Sequence, residues 1–256
     1  MDSTLRSAYA ACRRMQRRHD PTYFAATSLL PGSVRPAIHA VYGFVRTADQ
    51  IVDGPDRPES AEERRAALDA WERELERARA GEPAHPVPLA LADAARRHDL
   101  PLDELRTYMS SMRMDCAPVR IRDDAELDSY MNGSAAAVGR IMAPLIGAHA
   151  RGEEVARLGM AFQLANFVRD VREDWALDRV YLPGLPESDL AAGLAGAHFR
   201  ERVARQVDRA RAMFRETRAV DAEVPGRVRP GMSLARLVYG RVLDRIERAD
   251  YDVLTA

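Results

Sequence analysis

The sequence predicts an all-α fold, a single domain over residues 1–256 built from about ten helices. Three observations carry this. Apolar residues recur at intervals of three and four through most of the chain, the repeat of a helix with one buried face. No segment alternates apolar and polar residues over the length of a strand. The stretches between helical patterns are short, which favours antiparallel neighbours around a shared core.

In chain order, residues 3–18 form a short helix ending in Arg13, Arg14, Arg17 and Arg18, a solvated cationic turn that suits the negative pole of the helix dipole. Pro21 opens the next helix and Pro31-Gly32 closes it. A helix over 33–53 follows. After the loop GPDRPES, Ser60 and Glu63 have the spacing of a capping box for a helix reaching 80. That helix is mostly charged, with Leu68, Trp71 and Leu75 as its inner stripe, so it lies on the outside. Helices are predicted over 87–98 and 101–114. A long one over 124–149 contains the small-residue run Gly133–Gly139, which either lets a neighbouring helix approach closely or leaves a groove for a long apolar ligand. The stretch 158–183 reads as a helix ending near Asp178 and Pro183. An arginine-studded amphipathic helix over 195–219 and a last helix over 230–250, with Leu234, Leu237, Val238, Tyr239, Val242 and Ile246, complete the chain.

Two of these helices carry acid where acid is unfavourable. At helical spacing Gln163, Asn166, Asp170 and Asp174 share one stripe, while Leu164, Val168, Val171 and Trp175 form an apolar face. Like charges one turn apart repel by roughly 0.2–0.5 kcal/mol, and both aspartates sit toward the negative pole. Ile38, Tyr42 and Val45 run likewise into Asp49 and Asp53, before Gly54 and Pro55 stop the helix. Carboxylates that extend an apolar face cost several kcal/mol each unless paired or metal-bound. Two such pairs on two helices point to facing clusters around hard cations. Oxygen donors select Mg²⁺ or Mn²⁺, and Mg²⁺ completes its shell with water and phosphate oxygens. The implied ligand is a diphosphate.

Composition excludes other classes. The net charge of −1 leaves no basic footprint for nucleic acid, and all 38 cationic residues are arginine. Cys12 and Cys116 give neither a disulfide framework nor zinc spacing. With no apolar leader segment and no apolar run of 18 residues, a cytoplasmic location is expected, with peripheral membrane contact left open. The oligomeric state is not legible.

The residues in these two stretches resemble the squalene/phytoene synthase family. Tyr42, Phe44, Arg46, Asp49 and Asp53 match one family motif, and Gln163, Asn166, Arg169, Asp170 and Asp174 match the other. The RVYLP run from Arg179 to Pro183 follows, and Leu29–Pro31, Met112, Asp115, Tyr130, Val138-Gly139 and Tyr239 fit the same pattern. The resemblance runs over nearly the whole chain and is strongest to the bacterial phytoene synthases. It implies an isoprenoid-synthase-type helical bundle with a central cavity, and a diphosphate-releasing prenyltransferase that joins two prenyl diphosphates head-to-head. It implies Asp49, Asp53, Asn166, Asp170 and Asp174 as metal ligands, with the aspartates, Tyr42 and Arg46 in catalysis. Thr22, Phe24, Arg46, Tyr130, Gln163, Asn166, Arg169 and Tyr239 would meet the substrate. Mg²⁺, or Mn²⁺ in its place, is the implied cofactor, with NADPH required only if the product is squalene.

Mg²⁺ as Lewis acid and arginine as a fork of donors would neutralise the leaving diphosphate. The resulting carbocation needs a dry, aromatic wall, for which Tyr23, Phe24, Tyr42, Phe44, Phe162 and Phe167 are candidates, each also explicable as core. Four features depart from the family pattern. Asp20 places an acid near the expected diphosphate, Gln50 replaces a frequent acid, Asp178 stands where glycine is usual, and the chain ends early at YDVLTA. No primary ligand is lost, so diphosphate and Mg²⁺ binding survive, and intact Asp49, Asp53, Asp170 and Asp174 argue against a binding protein without catalysis. The departures leave the substrate length and the second half-reaction open among three products. These are phytoene from two geranylgeranyl diphosphates, squalene or dehydrosqualene from two farnesyl diphosphates, and a product of one prenyl diphosphate cyclised or passed to another acceptor.

Overall fold

Fourteen α-helices of the described residues enclose two apolar clusters, and their sequence explains where each starts and stops. The computed structural model describes residues 2–255, with Thr22 described by its backbone alone. The first half comprises α1 (Ser3–His19), α2 (Pro21–Ser28), α3 (Arg35–Asp53), α4 (Ala61–Arg79), α5 (Pro86–His98) and α6 (Glu104–Met114). Asp20 caps α2 by accepting the Tyr23 backbone N–H at 2.8 Å, with Pro21 in the first turn. Ser60 and Glu63 form the predicted capping box of α4, each side chain accepting the other's backbone N–H at 3.1 Å. Helix α3 ends at Gly54, which precedes Pro55 and has extended backbone (ψ 160°), and a Cβ there would lie 2.4 Å from the Gln50 carbonyl oxygen.

The second half comprises α7 (Asp124–Met131), α8 (Ala137–Leu145), α9 (Gly152–Arg169), α10 (Val171–Ala176), α11 (Glu187–Ala192), α12 (Ala197–Glu216), α13 (Ala219–Glu223) and α14 (Arg229–Arg248). Helix α9 is its spine, packed against α8, α12 and α14. One cluster, around Ile38, Phe44, Leu68, Leu91, Leu105 and Ile141, joins α3–α6 to α8. The other, around Leu127, Leu164, Val168, Phe199, Val203 and Leu243, joins α7 and α9 to α12 and α14. No described helix is long and apolar enough to cross a membrane.

Three expectations are corrected. The helix over 124–149 is interrupted by a π-helical turn at Asn132–Ala136, after which α8 ends at Leu145. The small-residue run is closely packed here. A Cβ on Gly133 would meet Ser111 Oγ at 2.0 Å, and one on Gly139 would meet Ala156 Cα at 2.7 Å, so at these two positions the run admits neighbouring helices rather than a ligand groove. The helix predicted over 158–183 divides at Asp170, whose backbone (φ −100°, ψ 18°) leaves helical geometry while its N–H still reaches the Asn166 carbonyl. Arg169 grips the Asp170 carboxylate at this break. Two short strands also exist, β1 (Val119–Arg120) and β2 (Arg179–Val180), paired in parallel. Two residues are too few to show alternation in a sequence.

Candidate active site

Helix α3 delivers Asp49 and Asp53 in its last turns, and the α9–α10 junction delivers Asp170 and Asp174. The two acidic segments meet. Arg179, on β2 just past α10, donates to the Asp53 carboxylate at 2.5 Å. Asp174 is pushed up to about 8, first by burial and then by the charges of Asp170, Asp115 and Asp53, against the pull of Arg179. Asp49 accepts the Tyr108 hydroxyl at 2.8 Å. Burial lifts it to about 6 despite that bond and the nearby Arg46 guanidinium, with Asp53 and Asp115 adding to the rise.

A fifth carboxylate stands among them. Asp115, at the C-terminal cap of α6, is 6 % exposed and accepts the Tyr130 hydroxyl at 2.5 Å and the Tyr181 hydroxyl at 2.8 Å. Burial pushes it up to about 6, while Arg179 and the two tyrosines oppose. Arg179 is 5 % exposed and also donates to the Asp115 carbonyl at 2.7 Å, so one buried guanidinium ties the first acidic helix to the segment after the second. The sequence pattern includes Asp115 and Arg179 among family-like residues but gives neither a site role. Their signal was ionisable groups flanking apolar and aromatic residues in segments with no helical period.

A divalent cation fits the donor chemistry here, though not the present partners of the carboxylates. Among the described residues no group of three or more Asp, Glu, His or Cys side chains is gathered tightly enough to hold a metal ion. Asp49 is engaged by Tyr108, Asp53 by Arg179, and Asp170 by Arg169 at 2.5 and 2.6 Å. Buried Asn166 Oδ1 has no hydrogen-bond partner among the described residues. Burial, with Asp170 and the other acids adding to it, lifts one carboxyl to about 8, and buried oxygen donors beside one another are a set a hard cation would relieve. Asp49, Asp53, Asn166, Asp170 and Asp174 could hold it if Arg169 and Arg179 gave up their carboxylates.

The remaining expected site residues lie around this centre. Arg46 sits one turn before Asp49 with its Nε buried and unpartnered among the described residues. Tyr42 lies one turn further back, its ring centroid 6.0 Å from that of Tyr23 on α2, and burial pushes the Tyr42 hydroxyl up to about 12. Gln163 and Asn166 are half-buried on the same face of α9. Tyr239 packs edge-on against Phe162 with centroids 4.7 Å apart. Burial raises its hydroxyl, against the pull of Arg169 and Asn166. Tyr130 is spent on Asp115. Phe167 stacks on Tyr181 at 4.2 Å, and Asp174 and Arg179 border an enclosed space of about 10 Å³ beside them, room for about one water. Phe24 lies between Arg13 and His39. Phe44 leaves the candidate wall, because it is fully buried and stacked on Trp71 in the core of the first half. The Thr22 side chain lies outside the described residues.

Two departures from the family pattern have structural explanations. Asp20 is the N-cap of α2, which engages its carboxylate with backbone N–H. Asp178 has φ 60°, the left-handed region where glycine is favoured and aspartate tolerated, and Arg120 holds its carboxylate at 2.6 Å.

Comparison with known proteins agrees with this arrangement. The model of the squalene/phytoene synthase family matches residues 16–256. The chain is 33% identical to a 15-cis-phytoene synthase of Synechococcus elongatus over 98% of its own length and 87% of the relative's. It is 35% identical to a phytoene synthase of Thermus thermophilus, covering 99% and 88% of the two chains. Among solved structures it is similar to the squalene synthase HpnC from Alicyclobacillus acidocaldarius, with TM-score 0.88, 31% identity and coverage of 98% and 97%. A dehydrosqualene synthase with TM-score 0.87 and 22% identity shares the fold. With two acidic helix ends converging in an all-α fold, and with relatives this similar along nearly its whole length, the chain belongs to the squalene/phytoene synthase family and is a prenyltransferase of that helical fold.

Proposed function

We propose that the protein condenses two geranylgeranyl diphosphates head-to-head, through prephytoene diphosphate, to phytoene. The observation that carries this is 33–35% identity to phytoene synthases along nearly the whole chain. In this reading residues 1–256 act as one domain. Asp49, Asp53, Asn166, Asp170 and Asp174 hold Mg²⁺ (or Mn²⁺), which supplies Lewis-acid charge to the departing diphosphate. Arg46, Gln163 and Arg169 orient that diphosphate, and the hydroxyls of Tyr42 and Tyr239 lie beside it. Their raised proton affinity keeps both phenols neutral donors at physiological pH. Phe162, packed against Phe214, and Phe167, stacked on Tyr181, supply the aromatic groups that exclude water in this reading. The apolar product is the reason to expect peripheral contact with a membrane.

A second reading, condensation of two farnesyl diphosphates, is favoured by one observation. The similarity to the squalene synthase HpnC covers 97% of that chain, against 87–88% for the two phytoene synthases. Incubation with Mg²⁺ and geranyl, farnesyl or geranylgeranyl diphosphate, with and without NADPH, followed by mass spectrometry, separates the two. A C40 hydrocarbon formed without reductant from the longest substrate is expected. A C30 product from farnesyl diphosphate alone selects the second reading, and a cyclic or monomeric product rejects both.

A further inference from the structure

Three polar side chains are buried together where α1, α2 and α3 meet. Gln16 and Thr27 are 0 % exposed and His39 is 5 % exposed. They bond to one another in a directed chain. His39 Nδ1 faces Gln16 Oε1, Gln16 Nε2 donates to Thr27 Oγ1 at 3.1 Å, and Thr27 Oγ1 donates to the Tyr23 carbonyl at 2.9 Å. With Gln16 Oε1 as acceptor, Nδ1 carries a proton. Burial holds His39 down at about 4, so the ring is neutral at physiological pH. Buried polar groups cost stability unless satisfied, so a chain of this kind fixes one arrangement of its members.

The member it fixes is α2. Eight residues are too few for a helix to persist unaided. Beyond the Asp20 cap, its inner face is held by the Gln16–Thr27 bond and by Phe24 stacked on the His39 ring at 5.7 Å. Its other side carries Tyr23, adjacent to Tyr42 on α3, and α2 also packs against α14. We propose that Gln16, Thr27 and His39 are positioning residues that seat α2 against α3 and thereby set Tyr23 at the rim of the diphosphate site. This rests on the proposed function for what the rim receives, but not for the seating itself.

The test is Thr27→Val, which keeps shape and removes the hydroxyl, with Thr27→Ser as the conservative rescue. Hydrogen exchange of the amides of 21–28 and the KM and kcat for the prenyl diphosphate are measured on the full chain. The Val variant is expected to exchange faster in α2 but not in α3 or α9. It should raise KM about tenfold with kcat within about threefold, and Ser should restore both. Unchanged exchange in α2 with unchanged KM overturns the proposal, as does faster exchange throughout the molecule that Ser does not reverse. If the wild type turns over no prenyl diphosphate, the functional reading fails and the exchange measurement alone decides the seating of α2.

Discussion

Arg179 and Asp53 are joined at 2.5 Å, a guanidinium 95 % buried meeting a carboxylate that stays partly exposed at the end of α3. The same guanidinium binds the Asp115 carbonyl. Burial alone would lower its proton affinity, but the Asp53 bond and the neighbouring acids raise it, so the guanidinium stays charged. Arg179→Met leaves Asp53 without its cation and the Asp115 carbonyl without a donor. Because Asp53 is partly solvated, the loss is expected between that of an exposed pair and that of a fully buried one, about 2 kcal/mol. Thermal unfolding should show it as a fall of about 4–8 °C in Tm.

Stability without metal should fall as pH rises. Asp174 is held at about 8 and Asp49 and Asp115 at about 6, all above the ordinary 3.8. The folded state therefore binds more protons than the unfolded chain between pH 4 and 8, and loses stability across that interval as they leave. Mg²⁺ requires the deprotonated acids, so its stabilising effect should grow over the same range. Melting curves from pH 5 to 8, with and without Mg²⁺, check both slopes. Asp174→Asn should flatten the decline between pH 6 and 8.

Gly139→Ala is expected to destabilise by about 1–3 kcal/mol, since the added Cβ would lie 2.7 Å from Ala156 Cα and 2.8 Å from the Val155 carbonyl oxygen. Backbone on the facing helix cannot yield as a flexible side chain would. Urea denaturation reads the loss as a lower midpoint with unchanged slope.

Asp178→Gly should be close to neutral. Glycine relieves the positive φ by about 1 kcal/mol, but the exposed ion pair with Arg120 is lost, worth up to about 1 kcal/mol. Chemical denaturation should place the net change within about 0.5 kcal/mol, and turnover should not change.

Much of the fold was legible because helix signals are local. The Ser60–Glu63 box, the Gly54 stop and the acid-tipped faces of α3 and α9 follow from spacing along one chain segment. What crosses between segments was not. Spacing places Asp53 on a face but does not say that Arg179 will meet it. Asp115 lies in a turn after α6 with no periodicity to mark its burial, and its partners Tyr130 and Tyr181 come from α7 and from beside β2. The π turn at Asn132–Ala136 and the break at Asp170 depend on how closely a neighbour approaches and which cation takes a carboxylate.

The central claim is that the acids of α3 and of the α9–α10 junction jointly bind Mg²⁺ and, through it, the diphosphate. Diphosphate release from geranylgeranyl diphosphate, measured against Mg²⁺ concentration for the wild type, Asp49→Ala and Asp170→Ala, tests it most directly. The account predicts Mg²⁺-dependent release in the wild type and a loss of at least about 100-fold in each variant. Release near the wild-type rate in either variant, with its Mg²⁺ dependence intact, would contradict it.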